Sequence, residues 1–261
     1  MTNRVQQEPA WLLHHRPFRD TSRILDILSR DHGRLSLVAR GARSAKSRLG
    51  GLLRPFMPLS LSWVSRSDLG TLTGAEMAGA PLSLNGDALL SGYYANELLL
   101  KLLHRFDPQP EIFALYARTI ERLAGTTQPA PLLRQFEVEL LGLLGYALNL
   151  EHDVADHREL RDELYYEYRA ALGAMPVDRS DGVMIFSGRE LLAIRGGRFA
   201  EPATLRAASR LLRGVIAYHL DGKELLSRKV LQELRKRPPP LPAIHDELAG
   251  DTAAYQEREF D

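Results

Sequence analysis

The hydrophobic pattern changes period at Pro81, and this break limits the chain to a β unit followed by a helical one. Before it, Ala10–His15, Arg23–Ser29, Leu35–Ala39, Leu59–Ser65 and Leu69–Glu76 are short runs with period-two apolar alternation. In the second run Ile24, Asp26 and Leu28 face one way, and Leu25, Ile27 and Ser29 the other. Turn material separates the runs: Pro17, Asp31-His32-Gly33, Gly41, Gly50-Gly51 and Asp68. Five short strands in residues 1–80 predict a small antiparallel barrel, because closure removes exposed strand edges. An OB-fold is the commonest barrel of that size, although strand count alone does not separate it from an SH3-like barrel.

After Pro81 the spacing becomes three and four. Asp87–Arg105, Glu111–Ala124 and Pro131–Leu144 read as helices, the last with a stripe of Leu133, Phe136, Leu140, Leu143 and Leu144, and with Pro131 in its first turn. Residues 150–200 are mixed, with strands expected at Leu164–Arg169 and Val183–Phe186 and a short helix at Arg189–Ile194. Helices over Pro202–His219 and Lys223–Lys236 complete a helical unit spanning 81–237. The Pro-rich stretch 238–261 has little to bury and is expected to be disordered. The fold class is therefore α+β: a β-barrel, then a mainly α-helical domain with a small mixed insertion.

Composition removes several chemistries. The 261 residues are 44% apolar and 26% charged, as in ordinary globular proteins, and carry a formal charge of +1. Attraction to a polyanion must then come from uneven charge distribution. With no cysteine there are no disulfides, thiol nucleophiles or thiolate metal sites. Residues 1–9 lack the apolar core of a signal peptide, and Lys101 and His104 interrupt the richest apolar run, so no membrane span is expected and the reading is cytoplasmic.

One segment stands out. Between Asp31 and Asp68 there is no acidic residue, while the interval holds Arg34, Arg40, Arg43, Lys46, Arg48, Arg54 and Arg66. Arg40, Arg43, Lys46 and Arg48 are interleaved only with small residues, which allow a phosphate chain to approach the backbone; Ser44 and Ser47 add hydroxyl donors. Neutralising phosphates releases counterions, so such a loop on a small barrel suits nucleic acid, with Phe56 or Trp63 expected to stack bases. It is not a P-loop, because Ala45 and Arg40 stand where that motif needs glycine.

Other constellations carry less. His14 and His15 are neighbours on a strand and point apart. His152, Asp153, Asp156 and His157 have a metal-like composition, and Asp153 and His157 would meet on a helix face, but an ordinary polar loop accounts for them. Glu137/Glu139 and Asp162/Glu163 read as solvated faces, and no catalytic set emerges. Arg206, Arg210 and Arg213 form an exposed stripe opposite Leu205, Leu212 and Ile216; Arg228, Lys229, Arg235, Lys236 and Arg237 follow.

Taken in order, Arg16-Pro-Phe-Arg-Asp-Thr-Ser-Arg23, Gly33-Arg34, Ala39-Arg-Gly-Ala-Arg with Ser47, and Leu53-Arg-Pro-Phe56 resemble the RecO family of bacterial recombination mediators. So do Glu76, Tyr93-Tyr-Ala-Asn-Glu-Leu98, Phe136-Glu137 with Leu144-Gly-Tyr146, Phe186-Ser-Gly-Arg-Glu-Leu191, and Leu220–Leu231. The resemblance runs from about residue 10 to 236. It implies an OB-fold then a helical domain, no enzyme activity, and no cofactor. It further implies binding of single- and double-stranded DNA, strand annealing, and assistance in loading RecA onto strands coated by single-stranded-DNA-binding protein, acting with RecR and in many bacteria RecF. DNA contacts would fall on the barrel's Arg34, Arg40, Arg43, Lys46, Arg48, Arg54 and Arg66. The acidic tail of single-stranded-DNA-binding protein would dock on the helical domain, at Arg134 first and then Arg118 and Arg122. An alternative is a scaffold that binds such tails, with DNA contact secondary. Many members carry a four-cysteine zinc site after the Leu-Gly-Tyr motif; Asn149–Tyr165 has none here, so structural zinc does not carry over.

Overall fold

Alternation along the first two strands buries both of their faces, and this decides how the two parts of the molecule meet. In a computed structural model, which describes residues 3–44, 46–227 and 229–230, β1 (Asn3–Phe18) and β2 (Ser22–Ser29) form an antiparallel hairpin. Ala10, Leu12, Leu25 and Ile27 point into one buried cluster, which also takes Leu37, Leu53, Leu61 and Trp63. Trp11, Leu13 and Leu28 point the other way, into a second cluster built mainly from helices.

The hairpin continues through β3 (Gly33–Ala39), a connector holding one helical turn, α1 (Leu49–Leu52), then β4 (Pro58–Ser65) and β5 (Leu69–Met77). Strand order is β1-β2-β3-β5-β4, closed by β4 on β1, with a short parallel contact between β3 and β5 at Ser36↔Leu69. That is an OB-like barrel, as expected. Closure leaves no long exposed edge.

The helical region packs α2 (Gly86–Leu102), α3 (Pro110–Ala124), α4 (Pro129–Leu143), α5 (Gly188–Arg195) and α6 (Pro202–His219) around a small sheet ordered β7-β6-β8, from β6 (Tyr165–Arg169), β7 (Gly173–Val177) and β8 (Ile185–Ser187). Pro129, not Pro131, takes the first position of α4, where its fixed φ suits a helix start. Ser187 and Glu190 close a reciprocal capping box on α5. Among the described residues no helix is long and apolar enough to cross a membrane.

Barrel and helices share polar as well as apolar contacts. The β1 register slips between Leu12 and His14, and the Leu13 carbonyl at that bulge accepts the Asn96 amide of α2 at 2.8 Å. Tyr116 of α3 donates to Asn96 Oδ1 at 2.6 Å and packs edge-on against Trp11, centroids 5.5 Å apart. Buried amide and hydroxyl are thus both satisfied, which burial demands.

The helix expected over Lys223–Lys236 is helical at 226–227 and 229–230. Arg228, Arg235, Lys236, Arg237 and the Pro-rich stretch 238–261 lie outside the described residues. Its start is held from α2: the Glu97 carboxylate accepts the Leu226 and Ser227 amides, both at 2.8 Å, and the Ser227 hydroxyl at 2.6 Å, beside Lys101 at 3.3 Å. Burial alone would raise the Glu97 pKa, but the Ser227 donors, the Leu226 amide and Lys101 outweigh it and hold it below the ordinary carboxylate value. A depressed folded pKa gives stability that is present above that value and lost as pH falls through it. Glu97→Ala is expected to cost about 1 kcal/mol, as for loss of a cap. In urea titrations the difference should be full at pH 7 and shrink as pH falls below the ordinary carboxylate value.

Candidate nucleic-acid interface

The connector between β3 and β4 carries the cations, and its small residues determine its path. Gly41 turns the chain with φ of 68°. Ala42, 1% exposed, and Leu53, fully buried, anchor the connector in the barrel core. Arg40 just before Ala42, Arg43, Lys46 and Arg48 between the anchors, and Arg54 just beyond Leu53 are all exposed. Among the described residues none of the five has a carboxylate within 4.0 Å.

The structure adds a partner surface that sequence reading missed. The Arg43 amide donates to the Thr21 carbonyl at 2.8 Å, and its guanidinium donates to the Arg19 carbonyl at 3.3 Å. The connector is therefore pinned to the tip of the β1–β2 hairpin, where Arg16 and Arg19 are exposed and Arg23 is half-buried beside Ala39. Asp20 is the one acid on that tip. The hairpin tip and the connector thus bring arginines from two separate stretches near one another, with Arg23, opposite Pro17 and Ala39, on the barrel-core side of the hairpin and Arg16, opposite Ile24, on its other side. Only the spacing of a folded hairpin brings them together, although Arg16-x-x-Arg19 flanking a turn was a visible hint.

Several expected site residues are placed otherwise. Arg34 stands at the opposite end of β3 from the connector. Its guanidinium is half-buried and donates to the Leu103 carbonyl at 3.1 Å; burial, then the nearby Arg105 charge, lowers its pKa. It belongs to the seam between barrel and helices. Arg66 is exposed on the β4–β5 turn, beyond Ser65, which pairs with Asn3 at the start of β1, away from the hairpin tip. The expected stacking aromatics are interior: Phe56 is 4% exposed and meets Tyr93 of α2, and Trp63 is 3% exposed in the barrel core. The face that remains offers charge, hydroxyls and the half-buried ring of Phe18, which lies 5.2 Å beneath the Arg19 guanidinium. This face suits phosphates rather than bases.

On the helices, Arg134 does not reach the surface. It lies on the inner side of α4, where its guanidinium donates to the fully buried Glu137 at 2.9 Å and to Ser209 of α6 at 3.2 Å. Tyr94 of α2 donates to the same carboxylate. Glu137 is accordingly not a solvated carboxylate: α4 packs against α2, α3 and α6, which buries Arg134, Glu137 and Leu141 along with Leu133, Phe136 and Leu140 of the expected stripe, while Leu143 is exposed. Arg118 and Arg122 are placed differently. They line a shallow cavity of about 80 Å³ between α3 and α4 with Leu115, Leu132 and Phe136. There Arg118 pairs with Glu139 at 3.2 Å, and Arg122 donates to Gln135 at 2.9 Å.

The His152–His157 segment is not helical. The Asp153 carboxylate accepts the Ala155 and Asp156 amides at 2.9 and 2.7 Å, which holds its pKa low, and His152 forms a bridge with Glu159. Asp153 and His157 therefore do not meet on a helix face. Among the described residues no group of three or more His, Asp or Glu has the spacing to hold a metal ion. In α6, Arg206 and Arg213 are exposed. Arg210 is drawn inward over Phe186 at 4.3 Å, and donates to the Ile185 carbonyl at 3.0 Å.

Comparison with known proteins agrees with this architecture. Residues 1–81 match the family model described as Recombination protein O N terminal, and residues 83–229 match Recombination protein O C terminal. The chain is 45% identical over 236 residues to the DNA repair protein RecO of Azoarcus sp. (strain BH72), covering 88% of this chain and 97% of that one. It is 41% identical to the DNA repair protein RecO of Nitrosococcus oceani, over 89% of this chain and 95% of the relative. It is also 41% identical to that of Dechloromonas aromatica, over 90% and 99%. Both halves of the molecule, barrel and helices, thus place the chain in the RecO family of DNA repair proteins.

Proposed function

We propose that this chain is a non-catalytic, cytoplasmic mediator of DNA repair that binds single- and double-stranded DNA through phosphates, anneals complementary strands, and assists RecA loading on strands coated by single-stranded-DNA-binding protein, acting with RecR. The observation that carries the reading is the pinning of the exposed connector cations Arg40, Arg43, Lys46, Arg48 and Arg54 to the hairpin tip that carries Arg19 and Arg23. Held on such a face, two strands lose much of their mutual repulsion, because its cations engage phosphates and not base edges. No covalent step is involved, and the acceleration of annealing is electrostatic and positional.

The acidic, apolar-ended tail of single-stranded-DNA-binding protein fits the groove of Arg118, Arg122, Leu132 and Phe136. Two arginines supply charge-assisted hydrogen bonds to its carboxylates, beside Leu132, the half-buried apolar side chain at the mouth of the cavity. The Arg118–Glu139 pair would open to admit it, at the small cost of an exposed ion pair, about 0–1 kcal/mol. Arg118→Glu with Arg122→Glu should weaken binding of that tail peptide by roughly 10- to 100-fold in calorimetry, as for loss of one or two charged hydrogen bonds. Annealing of bare DNA should stay unchanged. Peptide binding that survives the double reversal would remove the groove from the mechanism.

A further inference from the structure

The cationic face has no carboxylate against its connector cations among the described residues, yet the whole chain carries only +1. Its excess acid is concentrated in one place. Residues 241–261 hold Asp246, Glu247, Asp251, Glu257, Glu259 and Asp261 against a single Arg258, a formal charge of −5; the preceding 240 residues then stand at +6. This stretch lies outside the described residues and beyond the C-terminal family model, which stops at residue 229.

We propose that the acidic segment 241–261 is an intramolecular competitor for nucleic acid: it occupies the Arg16–Arg23 and Arg40–Arg54 face as a polyanion and is displaced when DNA binds. The inference rests on the DNA-binding reading above and adds a regulatory element to it.

Reach permits this. Ten residues lie between Val230 and Leu241, so eleven steps of chain span about 36–40 Å when extended. A compact body of some 230 residues is roughly 45 Å across. The segment itself adds about 70 Å, so its acids can meet either end of the molecule. Charge selects the barrel face over the groove on α3 and α4. The connector cations have no acidic partner, whereas Arg118 already pairs with Glu139 and Arg122 is held by Gln135. Tethering places the segment at an effective concentration of order mM, so even a weak contact is populated. Six acids spread over some 16 residues are less dense than the phosphates of a duplex, one charge per roughly 1.7 Å, so DNA wins the exchange and the segment attenuates binding without blocking it.

The test uses the full chain with its six acids amidated: Asp246→Asn, Glu247→Gln, Asp251→Asn, Glu257→Gln, Glu259→Gln and Asp261→Asn. A second chain ends after Pro240. Fluorescence anisotropy with a labelled oligonucleotide at 50 mM salt should show both binding roughly 3- to 10-fold tighter than the unaltered chain, the gain expected from removing a competitor at mM effective concentration. The gain should disappear near 300 mM, where screening weakens the contact. It should also be absent when Arg40, Arg43, Lys46 and Arg48 are alanine. Unchanged affinity in both altered chains, or an equal gain in the alanine background, overturns the proposal. If the unaltered and amidated chains both fail to bind DNA at any salt, the underlying DNA reading has failed instead.

Discussion

Replacing Arg40, Arg43, Lys46 and Arg48 together by alanine is expected to weaken DNA binding by roughly 100- to 1,000-fold at 0.15 M salt. Each phosphate contact contributes about 0.9 to the slope of log K against log salt, which is roughly a five-fold affinity factor per contact at that concentration. Four lost contacts then compound to the stated range, and the slope should flatten by about 3–4. The fold should survive, because all four side chains are exposed and the connector is anchored by Ala42 and Leu53. Circular dichroism and the urea midpoint check that point. Single- and double-stranded oligonucleotides should both lose affinity, since the four cations contact phosphates, which both carry. A change in affinity without a change in salt slope would mean the four cations act through structure and not through phosphate contact.

The largest effect on stability is expected in the helical region. Glu137→Leu removes the carboxylate that the buried Arg134 and Tyr94 both use. It strands a guanidinium whose side chain is 9% exposed. Breaking a buried pair on one side typically costs about 3–5 kcal/mol, because the remaining charge keeps its desolvation penalty without its partner. Adding Arg134→Leu should recover most of the loss, since two apolar residues can replace a buried pair with little net cost. Urea titration distinguishes the cases. A single variant within 1 kcal/mol of the unaltered protein would show that water reaches the pair.

The barrel was legible because period two is local. All five strand runs were readable from alternation, and the expected ends of the last four fall within two residues of the observed ones. The long beginning of β1 escaped, because Asn3–Glu8 is largely polar and bends at Gln7, with φ of 53°. Strand β7 escaped for another reason: Gly173, Ala174 and Pro176 have weak strand propensity, and only its pairing with the tyrosine-rich β6 makes it a strand.

Burial was the harder quantity. Phe56 and Trp63 read as exposed aromatics beside basic residues, but the closed barrel needs Trp63 inside, and Phe56 fills the seam against α2. Arg134 read as a surface arginine, but its spacing to Glu137 is that of an ion pair, and the packing that buries the pair comes from α2, α3 and α6, far away in sequence. The hairpin arginines were missed for the same reason. Arg43 lies more than 20 residues from Arg19 and Thr21, and nothing local announces the contact. Charge sign along the chain was readable; the side of the fold on which each charge lands was a tertiary fact.

The central claim is that the hairpin tip and the β3–β4 connector form one face that holds DNA by its phosphates. Photo-crosslinking a reactive oligonucleotide to the full protein, followed by peptide mapping, tests it most directly. Crosslinks concentrated in peptides spanning 16–23 and 40–54, and suppressed by added salt, are the predicted result. Crosslinks confined to the helical region, with those two peptides unmodified, would contradict it.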